Sequence, residues 1–144
     1  MLPVALDAMG GDRGPDVNIV GALRAHRLGI PVLLVGDEKK IRQPRKGALP
    51  VLHAAEAVEM DESAARSVRA KPGSSIRAAI DALKTGKACA AVSCGNTGAF
   101  MAAATLVLGR IKGVDRPAIT TVVPRTDGGN LVILDLGANT DPKP

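Results

Sequence analysis

Short apolar runs alternate with segments of helical periodicity along the whole chain. The apolar runs predict strands at residues 3–8, 31–36, 49–53, 88–93, 118–123 and 131–136. Capping residues and apolar positions at helical spacing predict helices at 16–28, 75–84 and 96–108. In the first helix, the apolar residues expected near one face are Ile19, Val20, Leu23 and Leu28.

This alternation predicts an α/β fold. Strands that are apolar throughout are typical of a parallel sheet buried on both faces, and the intervening helices supply the two covering layers. We therefore expect a three-layer sandwich with a mainly parallel sheet, formed by a single domain over residues 1–144.

Three loops combine glycine with polar side chains directly after predicted strands. They span residues 7–12, 93–98 and 135–141. Because parallel strands end at a common edge, where such sheets bind their ligands, all three loops are predicted to meet there.

The loop at 93–98 carries the strongest local signal. A strand runs into Gly95 and a helix begins near Asn96 or Thr97, so several backbone N–H groups lack an intrahelical partner. These groups and the helix dipole favour phosphate or another anion, and Gly95 and Gly98 let a ligand approach the backbone. Ser93 adds a hydroxyl donor. The alternative, that Asn96 or Thr97 only caps a buried helix, stays open.

The loop at 7–12 matches no nucleotide-binding motif. The segment 10–14 departs from G-x-G-x-x-G, and no stretch fits G-x-x-x-x-G-K-[ST]. Asp7 and Asp12 are expected to accept hydrogen bonds from local amides. Oxygen groups of the first and third loops could ligate Mg²⁺, but their spacing defines no cage, so neither a metal nor a cofactor is assigned.

Cys94 could form a covalent intermediate, but the sequence around it does not favour this hypothesis. A helix N-terminus lowers the pKa of a thiol and would permit a thioester intermediate. No His lies near Cys94 in the sequence, so a small buried Cys is the preferred interpretation. Cys89 and Cys94 would point to opposite faces of one strand, so no disulfide is expected.

Composition narrows the function classes. The 144 residues are 46% apolar and 23% charged, which excludes disorder for most of the chain. Trp and Tyr are absent and Phe occurs once, so stacking on nucleic-acid bases is disfavoured. The net charge of +5 is spread along the chain, which suits small anions or acidic proteins better than DNA. No secretion signal or membrane-spanning run is found, and a cytoplasmic protein is expected.

Three segments together point to a family. They are Leu6-Asp7-Ala8-Met9-Gly10-Gly11-Asp12, Ser93-Cys94-Gly95-Asn96-Thr97-Gly98-Ala99 and Leu134-Asp135-Leu136-Gly137-Ala138-Asn139. In this order they closely resemble the PlsX family of bacterial acyl-carrier-protein:phosphate acyltransferases. Residues 35–37 and 74–81 match the intervening pattern of that family.

The resemblance implies a fold similar to phosphate acetyltransferases and isopropylmalate dehydrogenases. It implies that inorganic phosphate attacks the thioester of a long-chain acyl carrier protein, releasing an acyl phosphate for phospholipid synthesis. It also implies a homodimer that associates peripherally with the membrane.

On this resemblance we assign the site residues by role. Phosphate binding is assigned to Ser93, Gly95, Asn96, Thr97 and Gly98; catalytic roles to Asn96, Thr97, Asp135 and Asn139; and cleft shaping to Asp7, Gly10, Gly11 and Asp12. Phosphate needs a cradle of N–H donors, and the thioester oxygen needs donors placed where its charge develops.

Two positions and the length depart from the family pattern. Cys94 stands where Ala is usual, and Pro142 stands where Cys is usual, which removes a backbone N–H from the third loop. Family members continue well beyond this length, so the chain is expected to be an N-terminal portion, incomplete relative to the family. Catalysis by these residues alone is not expected, because an open half-cleft admits water.

Two alternatives stay open at this stage. The first is a phosphate acetyltransferase-like enzyme acting on short acyl-CoA. The second is a chain that acts only as a non-catalytic binding or assembly module.

Overall fold

The computed structural model describes residues 1–44, 46–114 and 117–135, and the chain divides into two compact units, Met1–Gly109 and Arg110–Pro144. The first unit contains β1 (Val4–Asp7), α1 (Gly14–Arg27), β2 (Val32–Gly36), β3 (Val51–His53), α2 (Ala64–Ala70), α3 (Ser75–Lys84), β4 (Ala90–Ser93) and α4 (Thr97–Val107). The second contains β5 (Thr120–Pro124) and β6 (Asn130–Leu134). Whether residues 1–144 form the predicted single domain stays a prediction.

The first unit is built on a parallel sheet with the strand order β3-β2-β1-β4. Asp7, the last residue of β1, is in register with Val35 of β2 and with Ser93 of β4. Helices cover both faces of this sheet, which confirms the predicted α/β sandwich with its mainly parallel sheet.

The two faces of the sheet pack against different helices. Leu6 and Leu34 pack in the cluster that contains Ile19 of α1. Ala5 and Val35 belong to the cluster that contains Ala79 of α3. Since side chains alternate along a strand, Asp7 and its register partners lie on the α3 side.

Small residues bring α4 close to α2 and α3. Ala99 and Ala103 of α4 are fully buried in a cluster with Val68 of α2 and with Ile76 and Ile80 of α3. The predicted bounds of α3, residues 75–84, are confirmed. The short helix α2 precedes α3 in the chain.

The first helix differs from its prediction. It starts at Gly14 rather than after Asp16, because Pro15 is tolerated in a first turn, where its missing N–H costs nothing. Ile19 is buried as predicted, but Val20 and Leu28 are exposed. Val20 lies about 100° around the helix from Ile19, which takes it off the buried stripe.

The last two strands are antiparallel, which corrects the prediction that they extend the parallel ladder. Residues 125–129 are too short a connection for a parallel crossover, which needs about a dozen residues or more. The N–H of Arg125 instead donates to the carbonyl of Gly129, and Gly128 has a φ of 85°, as a tight turn requires. Within the described residues, no helix has the length and apolar character needed to cross a membrane.

Candidate functional site

Two of the three predicted loops meet at the carboxyl edge of the parallel sheet. A Cβ atom built on Gly10 would lie 2.7 Å from the backbone N of Gly95 and 2.9 Å from its Cα atom. A Cβ on Gly11, which has a φ of 92°, would lie 3.1 Å from the carbonyl oxygen of Cys94. The two turns are therefore in backbone contact, which only residues without side chains permit.

A buried carboxylate organises this contact. Asp7 is fully buried, and its Oδ2 atom accepts a hydrogen bond from the Ser93 hydroxyl at 2.7 Å. The Ser93 oxygen in turn accepts from the N–H of Gly95 at 3.0 Å, while the other Asp7 oxygen accepts from the N–H of Met9 at 3.1 Å. Asp7 thus fixes the first residues of both turns. The N–H of Gly95 already donates to Ser93, so it is not available to a ligand. The absence of a side chain at Gly95 still lets a ligand approach the backbone closely.

Asn96 is the N-cap of α4 and holds a neighbouring loop in place. Its Oδ1 atom accepts a hydrogen bond from the N–H of Ala99 at 2.9 Å. Its Nδ2 group donates to the carbonyls of Met60 and Glu62 at 3.1 and 3.0 Å. This is the capping interpretation that the sequence left open. Both the oxygen and the NH₂ group of the Asn96 side chain are engaged in hydrogen bonds within the chain.

The start of α4 nevertheless keeps donors available. Among the described residues, the backbone N–H groups of Asn96, Thr97 and Gly98 have no acceptor. Thr97 is exposed and Gly98 is half-buried. A Cβ on Gly98 would lie 3.0 Å from the Cβ of Ala64, so glycine also lets α2 approach this turn. Adjacent N–H groups at the positive end of a helix dipole can bind a phosphate or another oxyanion.

Asn18 supports the first turn and was not predicted from the sequence. The Nδ2 group of Asn18 in α1 donates to the carbonyls of Ala8 and Gly10 at 2.9 and 2.7 Å. Asn18 lies four residues before the buried Ala22, so it faces the sheet. A polar amide on this stripe is the signal that could have identified it.

Comparison with known proteins shows the family of the chain. Residues 2–144 match the family described as "Fatty acid synthesis protein". The chain belongs to this family. The relatives named phosphate acyltransferase include those of Pelobacter propionicus, 49% identical over 98% of this chain, and of Thermus thermophilus, 51% identical over 98% of it.

The chain spans less than half the length of these relatives, 42% of the Pelobacter protein and 44% of the Thermus protein. A third, from Desulfitobacterium hafniense, is 50% identical over the whole chain, which covers 44% of that relative. The resemblance to the PlsX family that the three loops indicated is confirmed.

The loop that Asn96 holds is stabilised by an ion pair. The Lys71 ammonium, the N–H of Glu59 and the Ser67 hydroxyl all donate to the carboxylate of Glu62. These hydrogen bonds, the one from Lys71 foremost, lower the pKa of Glu62 from 4.5 to about 2. Since Asn96 bonds to the carbonyl of Glu62, this cluster also supports the start of α4.

Cys94 corrects one prediction. Its side chain is exposed rather than buried, because it follows the last residue of an edge strand and precedes the turn at Gly95.

The third loop is described only at its first residue. Asp135 follows β6 in the second unit and has a φ of 62°, a conformation that Asp adopts more readily than most residues. Its N–H donates to the carbonyl of Ile119. Asn139 and the rest of this loop lie outside the described residues, as does Pro142. Their convergence with the other two loops stays a prediction, and so does every assigned site role.

Proposed function

We propose that this chain contributes the phosphate-binding part of a phosphate acyltransferase. The observation that carries the proposal is the set of adjacent N–H groups at Asn96, Thr97 and Gly98, which have no acceptor among the described residues. They lie at the carboxyl edge of the sheet, beside the turn at Gly10 and Gly11. Such a set of N–H groups can bind phosphate, and phosphate is also named in the relatives' description, phosphate acyltransferase.

In the proposed reaction, an oxygen of inorganic phosphate attacks the carbonyl carbon of an acyl thioester. The new C–O bond forms, negative charge develops on the carbonyl oxygen, and the C–S bond then breaks to release a thiolate and an acyl phosphate. The free N–H groups hold the phosphate in position for attack. Asp7, Gly10 and Gly11 shape this edge of the cleft, and Asp12 lies farther along the same turn.

The remaining roles follow from the family resemblance. We propose a long-chain acyl carrier protein as the acyl donor, a role in phospholipid synthesis, a homodimer and a peripheral membrane association. Catalytic contributions from Asp135 and Asn139 belong to the same proposal. The side chain of Asn96 acts through its cap, while its N–H joins the cradle.

Replacement of Thr97 by proline tests the cradle directly. Thr97 is the first residue of α4, where proline is tolerated, and the preceding Asn96 has a φ of −59° and a ψ of 111°, which a following proline accepts. Thr97→Pro therefore removes one free N–H and keeps the helix. A hydrogen bond to a charged group contributes about 1.5–3 kcal/mol, so phosphate should bind about tenfold more weakly or worse.

The matched control is Thr97→Ala, which removes the hydroxyl and keeps the N–H. Calorimetric titration of the chain with inorganic phosphate should give near wild-type affinity for Thr97→Ala and a clear loss for Thr97→Pro. Equal affinities for the wild type and Thr97→Pro would refute the cradle.

Turnover requires a protein of family length. In the Thermus thermophilus relative, the segment that aligns with this chain can be replaced by residues 1–144, and acyl phosphate can be trapped with hydroxylamine. We expect product from long-chain acyl carrier protein and phosphate, and less from acetyl-CoA. A folded chimera that forms none, beside an active parent enzyme, would contradict the proposal; preference for acetyl-CoA would favour the short-chain alternative.

A further inference from the structure

Two buried hydroxyl groups at the start of α3 have no hydrogen-bond partner. The exposed fractions of Ser74 and Ser75 are 0% and 1%. Within the described part of the chain, neither hydroxyl oxygen makes a hydrogen bond. Buried hydroxyl groups are nearly always paired, so two consecutive exceptions require an explanation.

The backbone at this position also has unused donors. Ser74 is the N-cap, with a φ of −69° and a ψ of 148°, a conformation in which serine usually accepts a hydrogen bond from the helix start. No such bond forms, and the N–H groups of Ile76 and Arg77 have no acceptor among the residues described. The N–H of Ser75 is used, because it donates to the carbonyl of Glu56 at 2.9 Å.

The start of α3 lies at the same edge of the sheet as the two glycine turns. Its first residue bonds to Glu56, just beyond the carboxyl end of β3, and its last turn leads back to the start of β4. The buried Asp7 and its register partner Ser93 lie on the face that α3 covers. The Oδ1 atom of Asp7 accepts from the N–H of Met9 and its Oδ2 atom accepts from the Ser93 hydroxyl, and neither of the two serine hydroxyls at the start of α3 donates to it.

We propose that the N-terminus of α3 is a second phosphate subsite. The hydroxyl groups of Ser74 and Ser75 and the N–H groups of Ile76 and Arg77 would together donate to one tetrahedral phosphate anion. This subsite uses none of the donors of the cradle at α4, and it rests on the proposed function for the identity of the anion as phosphate. It explains why serines occupy a buried N-cap and first position without capping the helix.

The charged groups around the subsite are of both signs. Arg77 carries a guanidinium group within the first turn and is 3.9 Å from the carboxylate of Asp81, a half-exposed and therefore weak pair. The carboxylate of Glu56 lies 3.2 Å from a Cβ built on Gly73. Because the serine oxygens are inaccessible to solvent, an anion can enter only if residues around them rearrange, and Gly73 is the exposed residue that directly precedes them. The amide of Gly73 should therefore respond to binding as well.

The test is a titration of the ¹⁵N-labelled chain with inorganic phosphate at constant pH and ionic strength. We expect saturable shifts of the amide signals of Ile76 and Arg77. In the double variant Ser74→Ala/Ser75→Ala, the affinity reported by these two signals should fall at least tenfold, since two hydrogen bonds to a charged group are lost. Ser63→Ala is the matched control, because Ser63 is the N-cap of α2 and its side chain makes no capping bond either.

The outcomes separate this inference from the proposed function. If the signals of Thr97 and Gly98 shift and those of Ile76 and Arg77 do not, the second subsite is wrong and the cradle at α4 stands. The same conclusion follows if chloride shifts Ile76 and Arg77 as much as phosphate does, or if the double variant binds as tightly as the wild type. If only Ile76 and Arg77 shift, the second subsite stands and the cradle fails. The wild-type titration decides even where the double variant does not fold.

Discussion

The contact between the two glycine turns can be tested by adding a single methyl group. Gly10→Ala places a Cβ atom 2.7 Å from the backbone N of Gly95, 2.9 Å from its Cα and 2.7 Å from the Oδ2 atom of Asp7. The first two neighbours are backbone, and the third is held by Ser93. Because none of them can rotate away, the turns must separate by several tenths of an ångström.

The expected cost follows from this geometry. Overpacking of a close-packed site typically costs about 1–3 kcal/mol, and rigid neighbours on every side place Gly10→Ala in the upper part of this range, at about 2–3 kcal/mol. Gly21→Ala is the matched control, since Gly21 lies in α1 with no atom within 4 Å of a built Cβ. There the same change should stabilise by about 0.5–1 kcal/mol, because alanine favours a helix over glycine.

Urea denaturation measures both variants. With a slope of about 1–3 kcal/mol per molar for small proteins, Gly10→Ala should lower the midpoint by about 1–3 M, while Gly21→Ala should raise it slightly. Gly10→Ala should also weaken phosphate binding, because the start of α4 shifts with Gly95. A Gly10→Ala variant within about 0.5 kcal/mol of wild type, beside a normal response of Gly21→Ala, would show that the turns are not in backbone contact.

Three further predictions concern the same region. Asn96→Ala should destabilise by about 1–2 kcal/mol through the lost cap, and a denaturation curve that coincides with that of the wild type would contradict this. Because folding lowers the pKa of Glu62 from 4.5 to about 2, the ionised carboxylate stabilises the folded chain. This contribution to the free energy of unfolding is complete above pH 4.5 and is lost as the pH falls towards 2. The stability gap between wild type and Glu62→Gln should close over that interval in thermal melts, and a constant gap would refute it. A thiol reagent should modify Cys94 and Cys89, both exposed, and saturating phosphate should slow only Cys94; equal slowing would exclude protection at the cradle.

The sequence predicted the parallel sheet and two of its loops because the responsible signals are local. A short, continuous apolar run such as residues 32–35 is typical of a strand buried on both faces, and glycine directly after a strand marks a turn. The helix at 75–84 was predicted because apolar spacing and the flanking breakers agree there.

Features that depend on distant partners could not be predicted in this way. The hydrogen bonds from Asn96 to Met60 and Glu62 join segments more than thirty positions apart, and the hydrophobic periodicity of the sequence carries no information about such contacts. The hairpin of β5 and β6 was missed for a different reason. Its turn at Asp127-Gly128-Gly129 is a local signal for a hairpin, whereas the apolar runs on either side of it predict strands without saying whether they pair parallel or antiparallel.

The hydrogen bonds at the start of α4 narrow the region where an anion can bind. The Ser93 hydroxyl oxygen accepts a hydrogen bond from the N–H of Gly95, and the Asn96 side chain accepts one from the N–H of Ala99. The donors left over are therefore the N–H groups between these two, at Asn96, Thr97 and Gly98. A phosphate bound there would contact the backbone of α4 rather than the Ser93 hydroxyl, which already donates to Asp7. We therefore propose a positioning role for Ser93, in which the loss of its hydroxyl disturbs the turn before it affects any direct contact with the anion.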